Sequence, residues 1–227
     1  IRPFIGNDLV KVLTGIRRSG KSVMLGLIQE ELCASGVDSG QFISINFENM
    51  SNAHLCTATA LHDEIIRRAA EIKGKVYLFF DEIQEVDSWE KCINSFRVEL
   101  DCDIYITGSN ARLLSGELAT YLAGRYVEFV IYPFSFAEFL ELYRTVYPNA
   151  DIRQCFSKYL TVGGMPYLSN LRYDEAASRQ YLRDLWSSVE LKDIVKRNNI
   201  RDVDMLERII AYVTSNIGTT FSSTAIS

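Results

Sequence analysis

The fold of this 227-residue chain is decided by one stretch, Gly15-Ile16-Arg17-Arg18-Ser19-Gly20-Lys21-Ser22. It matches the pattern G-x-x-x-x-G-K-[ST], the phosphate-binding P-loop, at every fixed position. The residues before it, 10–14, form an apolar run typical of a buried strand. The residues after it, 23–32, carry apolar side chains at helical spacing. A strand, a glycine loop and a helix in this order predict a phosphate-binding site.

The residue types in this loop suit that chemistry. Gly15 and Gly20 allow the backbone to bend and to approach a phosphate with no Cβ in the way. We expect Lys21 to neutralise the β- and γ-phosphates and the Ser22 hydroxyl to ligate Mg²⁺. A plain glycine turn with a solvated lysine is the alternative, which the full match disfavours. The predicted nucleotide-binding residues are Gly15, Ile16, Arg17, Arg18, Ser19, Gly20, Lys21, Ser22 and Val23.

A second motif follows another apolar strand. Residues 76–80 are all apolar or aromatic, and Asp81 and Glu82 come directly after them. This is the form of a Walker B strand, in which the aspartate holds Mg²⁺ through its water shell. The adjacent Glu82 can orient and deprotonate the water that attacks the γ-phosphate. Asp81 is therefore predicted to serve the metal together with Ser22, and Glu82 to be the catalytic base. The alternative is a pair of loop carboxylates.

Three further residues are candidates for the catalytic machinery. A predicted strand ends in the polar pair Ser109 and Asn110, and a polar residue at such a tip can sense the γ-phosphate. A plain turn explains either residue equally well. Arg125 directly precedes another predicted strand, and an arginine can offset the charge that builds up on the γ-phosphate. It can act in its own site or in that of a neighbouring copy, or it can pair with a surface carboxylate such as Glu128.

The predicted elements change character near residue 134. Before it, strands alternate with helices, as in a parallel α/β sheet. After it the chain is predicted to be helical, beginning with a capping box at Ser135 and Glu138. A similar capped start is predicted earlier, at Asp87 with Glu90. The predicted strands are 10–14, 41–47, 75–82, 102–110 and 126–131, and the later helices are 151–161, 174–192 and 202–216.

The composition is that of an ordinary globular protein. The chain is 48% hydrophobic and 23% charged, and no stretch approaches the roughly 20 apolar residues of a membrane span. A net charge of −5 argues against a broadly basic surface that coats nucleic acid. Five cysteines without a C-x-x-C pair favour free thiols in a reducing compartment. We therefore expect a cytoplasmic protein.

Taken together, these motifs resemble one family. The P-loop resembles the G-x-R-R-x-G-K-[ST] loop of a bacterial and archaeal family of AAA-type ATPases, AAA_14, whose members usually continue into a DUF4143 domain. The resemblance covers essentially the whole chain. The other matching stretches are 79–84 with Trp89, 106–109, 122–125, 133–139 and 163–166.

The resemblance implies a fold and an organisation. The fold is α/β: a P-loop NTPase parallel sheet flanked by helices, with one strand between the P-loop strand and the Walker B strand. We expect an ATPase core over 1–133, a helical subdomain over 134–200 and the truncated start of a winged helix over 201–227. ATP and Mg²⁺ are the implied cofactors. The C-terminal half of family members, which is nuclease-like, lies outside this sequence.

Three functions compete at this point. The first is a Mg²⁺-dependent ATPase that drives a switch or motor step on a DNA or protein partner. The second is a slowly hydrolysing signalling switch, and the third is a P-loop kinase for a small molecule. A glutamate directly after the Walker B aspartate favours hydrolysis over kinase chemistry. The absence of an N-K-x-D motif in the sequence favours adenine over guanine.

Partners are less well indicated. Self-association and a DNA or protein partner that acts through the C-terminal half are both open. A basic group can contact DNA phosphates, although a solvated helix face with i,i+4 ion pairs is the commoner explanation. The basic residues concerned are Lys192, Lys196, Arg197 and Arg201.

Overall fold

The computed structural model describes residues 1–108, 122–189, 195 and 200–218. Its strands are β1 (Val10–Thr14), β2 (Phe42–Asn46), β3 (Val76–Asp81), β4 (Cys102–Thr107) and β5 (Tyr126–Val130). Its helices are α1 (Lys21–Ala34), α2 (Ala58–Ala69), α3 (Trp89–Glu99), α4 (Phe136–Val146), α5 (Ile152–Val162), α6 (Glu175–Val189) and α7 (Val203–Ser215).

The five strands form one parallel sheet in the order β2-β3-β4-β1-β5. Parallel neighbours need crossover connections, which α1, α2 and α3 help to supply. The strand β4 lies between the P-loop strand β1 and the Walker B strand β3, as the family resemblance implied. The carboxyl ends of all five strands therefore share one edge of the sheet, where ligands bind in open α/β folds.

The sheet is covered on both faces. Side chains alternate between the faces along each strand. On one face, Leu78 and Ile106 belong to a buried cluster with side chains of α2 and α3. On the other, Phe79 and Tyr105 belong to a cluster with α1. The strands β1, β3 and β4 are buried at every residue. Strands buried on both faces are nearly continuous apolar runs, and these runs identified the three strands in the sequence.

The two predicted capping boxes had different outcomes. The box at Ser135 and Glu138 is confirmed, since each side chain bonds the backbone N–H of the other residue. The prediction at Asp87 is wrong, because α3 begins at Trp89 and its N-cap is Ser88, which has a φ of 57° and makes no side-chain cap. The backbone of Asp87 is occupied elsewhere, since its N–H donates to the carbonyl oxygen of Cys56 at 3.0 Å.

The helices α4 and α5 are joined by a close backbone contact. The Phe134 N–H donates to the Gly164 carbonyl oxygen at 2.8 Å. A Cβ on Gly164 would lie 2.1 Å from the Phe134 carbonyl oxygen, so the position requires glycine. The Tyr159 hydroxyl donates to the same Phe134 oxygen at 3.0 Å. The breaker predicted at 163–166 therefore ends α5 and fixes its end beside the start of α4.

The chain forms two compact units, residues 1–173 and residues 174–227. Within the second unit, α6 and α7 confirm the predicted helices, although residues 190–192 of the first prediction lie outside the described ranges. The boundaries 1–133, 134–200 and 201–227 stay a prediction. In the part of the chain that the structure describes, no helix has both the length and the apolar character of a membrane span. The five cysteines are free thiols, three of them buried.

Candidate functional site

The P-loop lies at the carboxyl edge of the sheet, between the end of β1 and the start of α1. Its sharp turn uses positive φ angles at Gly15 (144°), Arg18 (63°) and Gly20 (105°). Gly20 is the N-cap of α1, so the N–H groups of the first turn point into the loop. The loop has the geometry of an anion site.

Gly15 is required for a reason that the sequence did not reveal. A Cβ at this position would lie 2.2 Å from the carbonyl oxygen of Ile131. The Ile131 N–H donates to the Thr14 carbonyl oxygen at 2.7 Å, which continues the pairing of β1 with β5. The missing side chain of Gly15 thus makes room for the neighbouring backbone. The sequence pattern predicts instead that the space beside Gly15 allows a phosphate to approach.

Lys21 is the first residue of α1, and its side chain is only 4% exposed. Its Nζ donates to the carbonyl oxygens of Gly15 and Ile16, both at 3.3 Å. These bonds are longer than the usual upper limit of about 3.2 Å. The ammonium also lies 3.8 Å from Oε1 of Glu82. Among the described residues, Lys21 is therefore a buried cation whose contacts are all weak.

Asp81 ends β3 and is held by its two neighbouring strands. Its Oδ1 accepts a hydrogen bond from the Thr107 hydroxyl on β4 at 2.5 Å, and its Oδ2 accepts one from the Asn46 amide on β2 at 2.9 Å. The Thr107 hydroxyl in turn accepts the N–H of Glu82 at 3.0 Å. The ends of three strands thus fix the carboxylate of Asp81 and the backbone of Glu82.

Glu82 sits in a strained position. Its φ of 55° and ψ of 49° place it in the left-handed region, which costs a non-glycine residue of the order of 1–3 kcal/mol. Its side chain is 14% exposed, and burial raises the pKa of the carboxyl above its usual value. The Gln84 amide and the Lys21 ammonium oppose this rise, while Glu48 and Asp81 add to it. Such strain and such a pKa shift cluster at functional sites.

The residues fit a magnesium ion in chemical type. Ser22 is exposed at the start of α1, and Asp81 lies at the end of β3 on the same edge of the sheet, with lone pairs left on both oxygens. A hydroxyl and a carboxylate are the hard oxygen donors that Mg²⁺ prefers, usually with several waters retained. In the loop, the hydroxyl of Ser19 is buried without a hydrogen-bond partner among the described residues. Such an orphaned polar group suits a loop that awaits a polar ligand.

The other predicted loop residues lie around the same turn. Ile16 and Val23 are 51% and 66% exposed, an unusual exposure for large apolar side chains. Arg18 is exposed, whereas Arg17 is half-buried with its guanidinium 4.0 Å from the Glu48 carboxylate. The structure therefore brings the predicted P-loop residues, Asp81 and Glu82 to one edge of the sheet.

Arg125 is not brought to that edge. It precedes the first residue of β5, and its carbonyl oxygen accepts the N–H of Val10 at the amino end of β1. The P-loop follows the other end of β1, about 16 Å away at the rise of a parallel strand. The Arg125 guanidinium donates to the Asn94 side chain at 2.9 Å, and the Glu128 carboxylate accepts a hydrogen bond from Thr14 instead.

Some candidates cannot be placed. Ser109 and Asn110 lie outside the described residues, as do Lys192, Lys196 and Arg197. Their predicted roles stay predictions.

Sequence reasoning missed Thr107 and Asn46, which hold Asp81. Both are the last residues of their strands. A polar residue at the end of an apolar strand was the available signal, because the carboxyl ends of parallel strands share one edge. The prediction placed the end of β4 at residue 110, three residues too late, and therefore passed over Thr107.

Two family profiles match the chain. The profile of AAA_14, described as an AAA domain, matches residues 7–140. A profile of a domain of unknown function, DUF8612, matches residues 153–227. The second match runs across the predicted boundary at residue 200. The DUF4143 domain expected from the resemblance stays a prediction.

Two curated relatives are themselves uncharacterised proteins. One, from Haemophilus influenzae, is 38% identical and covers 99% of this chain and 56% of its own length. The other, MJ1544 from Methanocaldococcus jannaschii, is 31% identical and covers 91% of this chain and 47% of its own length. The chain thus spans about half the length of the curated relatives it matches.

A solved structure has a similar fold. AMPPCP-bound DnaA from Aquifex aeolicus aligns with a TM-score of 0.50 over 95% of this chain and 66% of its own, at 14% identity. The sheet, the P-loop and the carboxylate-tipped β3 define the class as a P-loop NTPase with a flanked parallel sheet. Within that class the chain belongs to the AAA_14 family of AAA-type ATPases, because the matched profile covers more than half of it.

Proposed function

We propose that this chain is an ATPase domain that hydrolyses ATP with Mg²⁺ and drives a switch or motor step on a DNA or protein partner. The family supports nucleotide binding as the coarse function. A guanine-recognition N-K-x-D motif is absent from the sequence, which supports adenine.

One observation carries the proposal: the Lys21 ammonium and the Glu82 carboxylate lie 3.8 Å apart in a largely buried site. A cation that binds a phosphate and a base that activates water must be close neighbours, because the reacting atoms meet at about 3–3.5 Å. The strained backbone of Glu82, and the burial that raises the pKa of its carboxyl, are features that cluster at functional sites.

The chain's own residues have distinct roles in this proposal. Lys21 exchanges its weak bonds to loop carbonyls for phosphate oxygens, and the loop N–H groups bind the phosphates from the other side. Glu82 accepts the proton of the attacking water. Ser22 and Asp81 would hold Mg²⁺, which when bound neutralises charge that develops on the phosphates. Thr107 keeps Asp81 and Glu82 aligned with each other.

The remaining role, that of Arg125, requires a second copy of the chain. Because this residue lies at the opposite edge from its own P-loop, we assign it to the site of a second subunit, where an arginine can contribute about 10³–10⁵ in rate. Turnover per subunit should then rise with protein concentration. Mixing Arg125→Ala with Glu82→Gln should restore part of the activity that each lacks alone, and Arg144→Ala, an exposed arginine on α4, is the control. An Arg125→Ala variant with normal turnover would refute this role.

The test of the proposed function is phosphate release from ATP, with and without Mg²⁺ and duplex DNA. Glu82→Gln should bind ATP with unchanged affinity and hydrolyse it about 10²–10⁴-fold more slowly. Glu85→Gln, at an exposed carboxylate three residues further on, should turn over normally. If Glu82→Gln matches the wild-type rate, Glu82 is only a loop carboxylate. Turnover that stays slow with and without DNA would favour the signalling switch.

A further inference from the structure

Two side chains hold the carboxylate of Glu82, one from each side. Its Oε2 accepts a hydrogen bond from the Gln84 side-chain amide at 2.5 Å. Its Oε1 faces the Lys21 ammonium at 3.8 Å. The backbone is fixed as well, because the Glu82 N–H donates to the Thr107 hydroxyl. The carboxylate thus has a defined orientation before any substrate arrives.

The two groups that hold the carboxylate differ in kind. In the proposed function, Lys21 must turn to the phosphates, so its contact with Glu82 weakens when nucleotide binds. Gln84 has no such second task. It lies two residues further along the turn, and its amide is neutral and needs no counter-ion. Only the Gln84 contact can therefore persist through the reaction.

The side-chain oxygen of Gln84 shows that the glutamine is not there for stability. This Oε1 is buried and has no hydrogen-bond partner among the described residues. A buried acceptor without a donor costs about 1–3 kcal/mol. An apolar residue of the same size would avoid that cost. The bond to Glu82 is what the glutamine supplies in return.

We propose that Gln84 is a positioning residue, which keeps the Glu82 carboxylate aimed at the attacking water after Lys21 has moved to the phosphates. The proposal rests on the proposed function, because it requires Glu82 to act as the base. Without the Gln84 amide, the Glu82 carboxylate loses this hydrogen bond and can rotate within the site. Glu82 is then correctly oriented in a smaller fraction of the protein molecules. As a result, kcat falls while nucleotide binding stays intact.

The experiment compares wild type with Gln84→Met, which keeps the volume but removes both the donor and the orphaned acceptor. We expect kcat to fall about 10–100-fold, as when other supporting groups of catalytic residues are removed, with KM for ATP within about threefold. The free energy of unfolding should be unchanged or higher, and Gln29→Met, at a glutamine on the exposed side of α1, should behave as wild type.

The outcomes separate this proposal from the proposed function. A normal kcat in Gln84→Met, with Glu82→Gln still inactive, would overturn the positioning role alone. A loss of stability in Gln84→Met would show a structural role and overturn it too. If wild type and Glu82→Gln are equally inactive, both proposals fail.

Discussion

Two buried lysines lie ten residues apart in the sequence, and one makes short polar contacts while the other makes long ones. Lys11, the second residue of β1, is fully buried, and its Nζ lies 2.6 Å from the equally buried Asp103 carboxylate on β4. The same ammonium donates to the Asn7 carbonyl oxygen at 3.0 Å. Lys21 is 4% exposed, yet the part of the chain that the structure describes offers it two 3.3 Å bonds and a carboxylate at 3.8 Å.

The partner of Lys11, Asp103, accepts further hydrogen bonds. Asp103 Oδ2 accepts the Gly6 N–H at 2.7 Å and the Tyr105 hydroxyl at 2.8 Å. A buried ion pair is tolerated only when its remaining hydrogen-bonding capacity is met in this way. Burial alone therefore does not mark a functional lysine. The loosely bonded lysine is the one that is free to bind a ligand.

The largest effect should come from breaking the tight pair. Lys11→Met leaves the Asp103 carboxylate buried without its counter-charge, which should lower the free energy of unfolding by about 3–5 kcal/mol. The double variant Lys11→Met/Asp103→Leu should recover most of that loss. Urea unfolding measures both. A single variant that loses less than about 1 kcal/mol would mean that the pair is not what stabilises this side of the sheet.

The matching change at the loose lysine should act on binding instead of on stability. Lys21→Met should raise the Kd for ATP with Mg²⁺ by about 100-fold or more, because the phosphates lose their buried cation. The free energy of unfolding should change by less than about 1 kcal/mol, since only weak bonds are lost. Calorimetric titration and urea unfolding on one sample test both parts. Unchanged affinity in a folded variant would remove Lys21 from the site.

A smaller effect should follow from trimming the tight cluster. Tyr105→Phe removes the hydroxyl that donates to Asp103, and a hydrogen bond to a charged group is worth about 2 kcal/mol. Nucleotide affinity should not change. Tyr77→Phe is the matched control on the same face of the sheet, and it should cost less than about 0.5 kcal/mol. Equal losses in the two variants would mean that the ring contacts, and not the hydroxyl of Tyr105, determine the effect.

The smallest effect concerns pH. Because burial raises the pKa of Glu82 in the folded state, the folded protein keeps this proton at pH values where the unfolded chain has lost it. Glu82 therefore favours folding most at acid pH, and that contribution is lost as the pH rises through the folded pKa. The free energy of unfolding of Glu82→Gln, measured by urea unfolding, should therefore rise relative to that of wild type as the pH is raised from acid to neutral. A difference in the free energy of unfolding that does not change with pH would mean that Lys21 fully offsets the effect of burial on the pKa of Glu82.

Local patterns predicted what depends on neighbours in the sequence. The P-loop, the five strands and the Ser135 cap follow from spacing and composition within about ten residues. The family resemblance added that β4 lies between β1 and β3. The edge of the sheet where Lys21, Asp81 and Glu82 meet then follows from the rule for parallel strands.

Features that depend on distant partners were not predictable in this way. Lys11 interrupts an otherwise apolar strand, and its partner Asp103 lies 92 residues further on. The failed cap at Asp87 has the same cause, since that backbone pairs with the segment before α2. The role of Gly15 depends on Ile131, which only β5 brings into contact. Each error arises from a contact between strands or segments that are far apart in the chain.

The position of β1 in the sheet also sets the order in which the strands can pair during synthesis. β1 pairs only with β4 and β5, so a ribosome must make residues 15–101 before any partner of β1 emerges. β2 and β3 can pair with each other well before that. Such late, long-range pairing is slow and leaves apolar strands exposed in the meantime. The P-loop, which begins where β1 ends, is therefore among the last parts of the nascent domain to take shape.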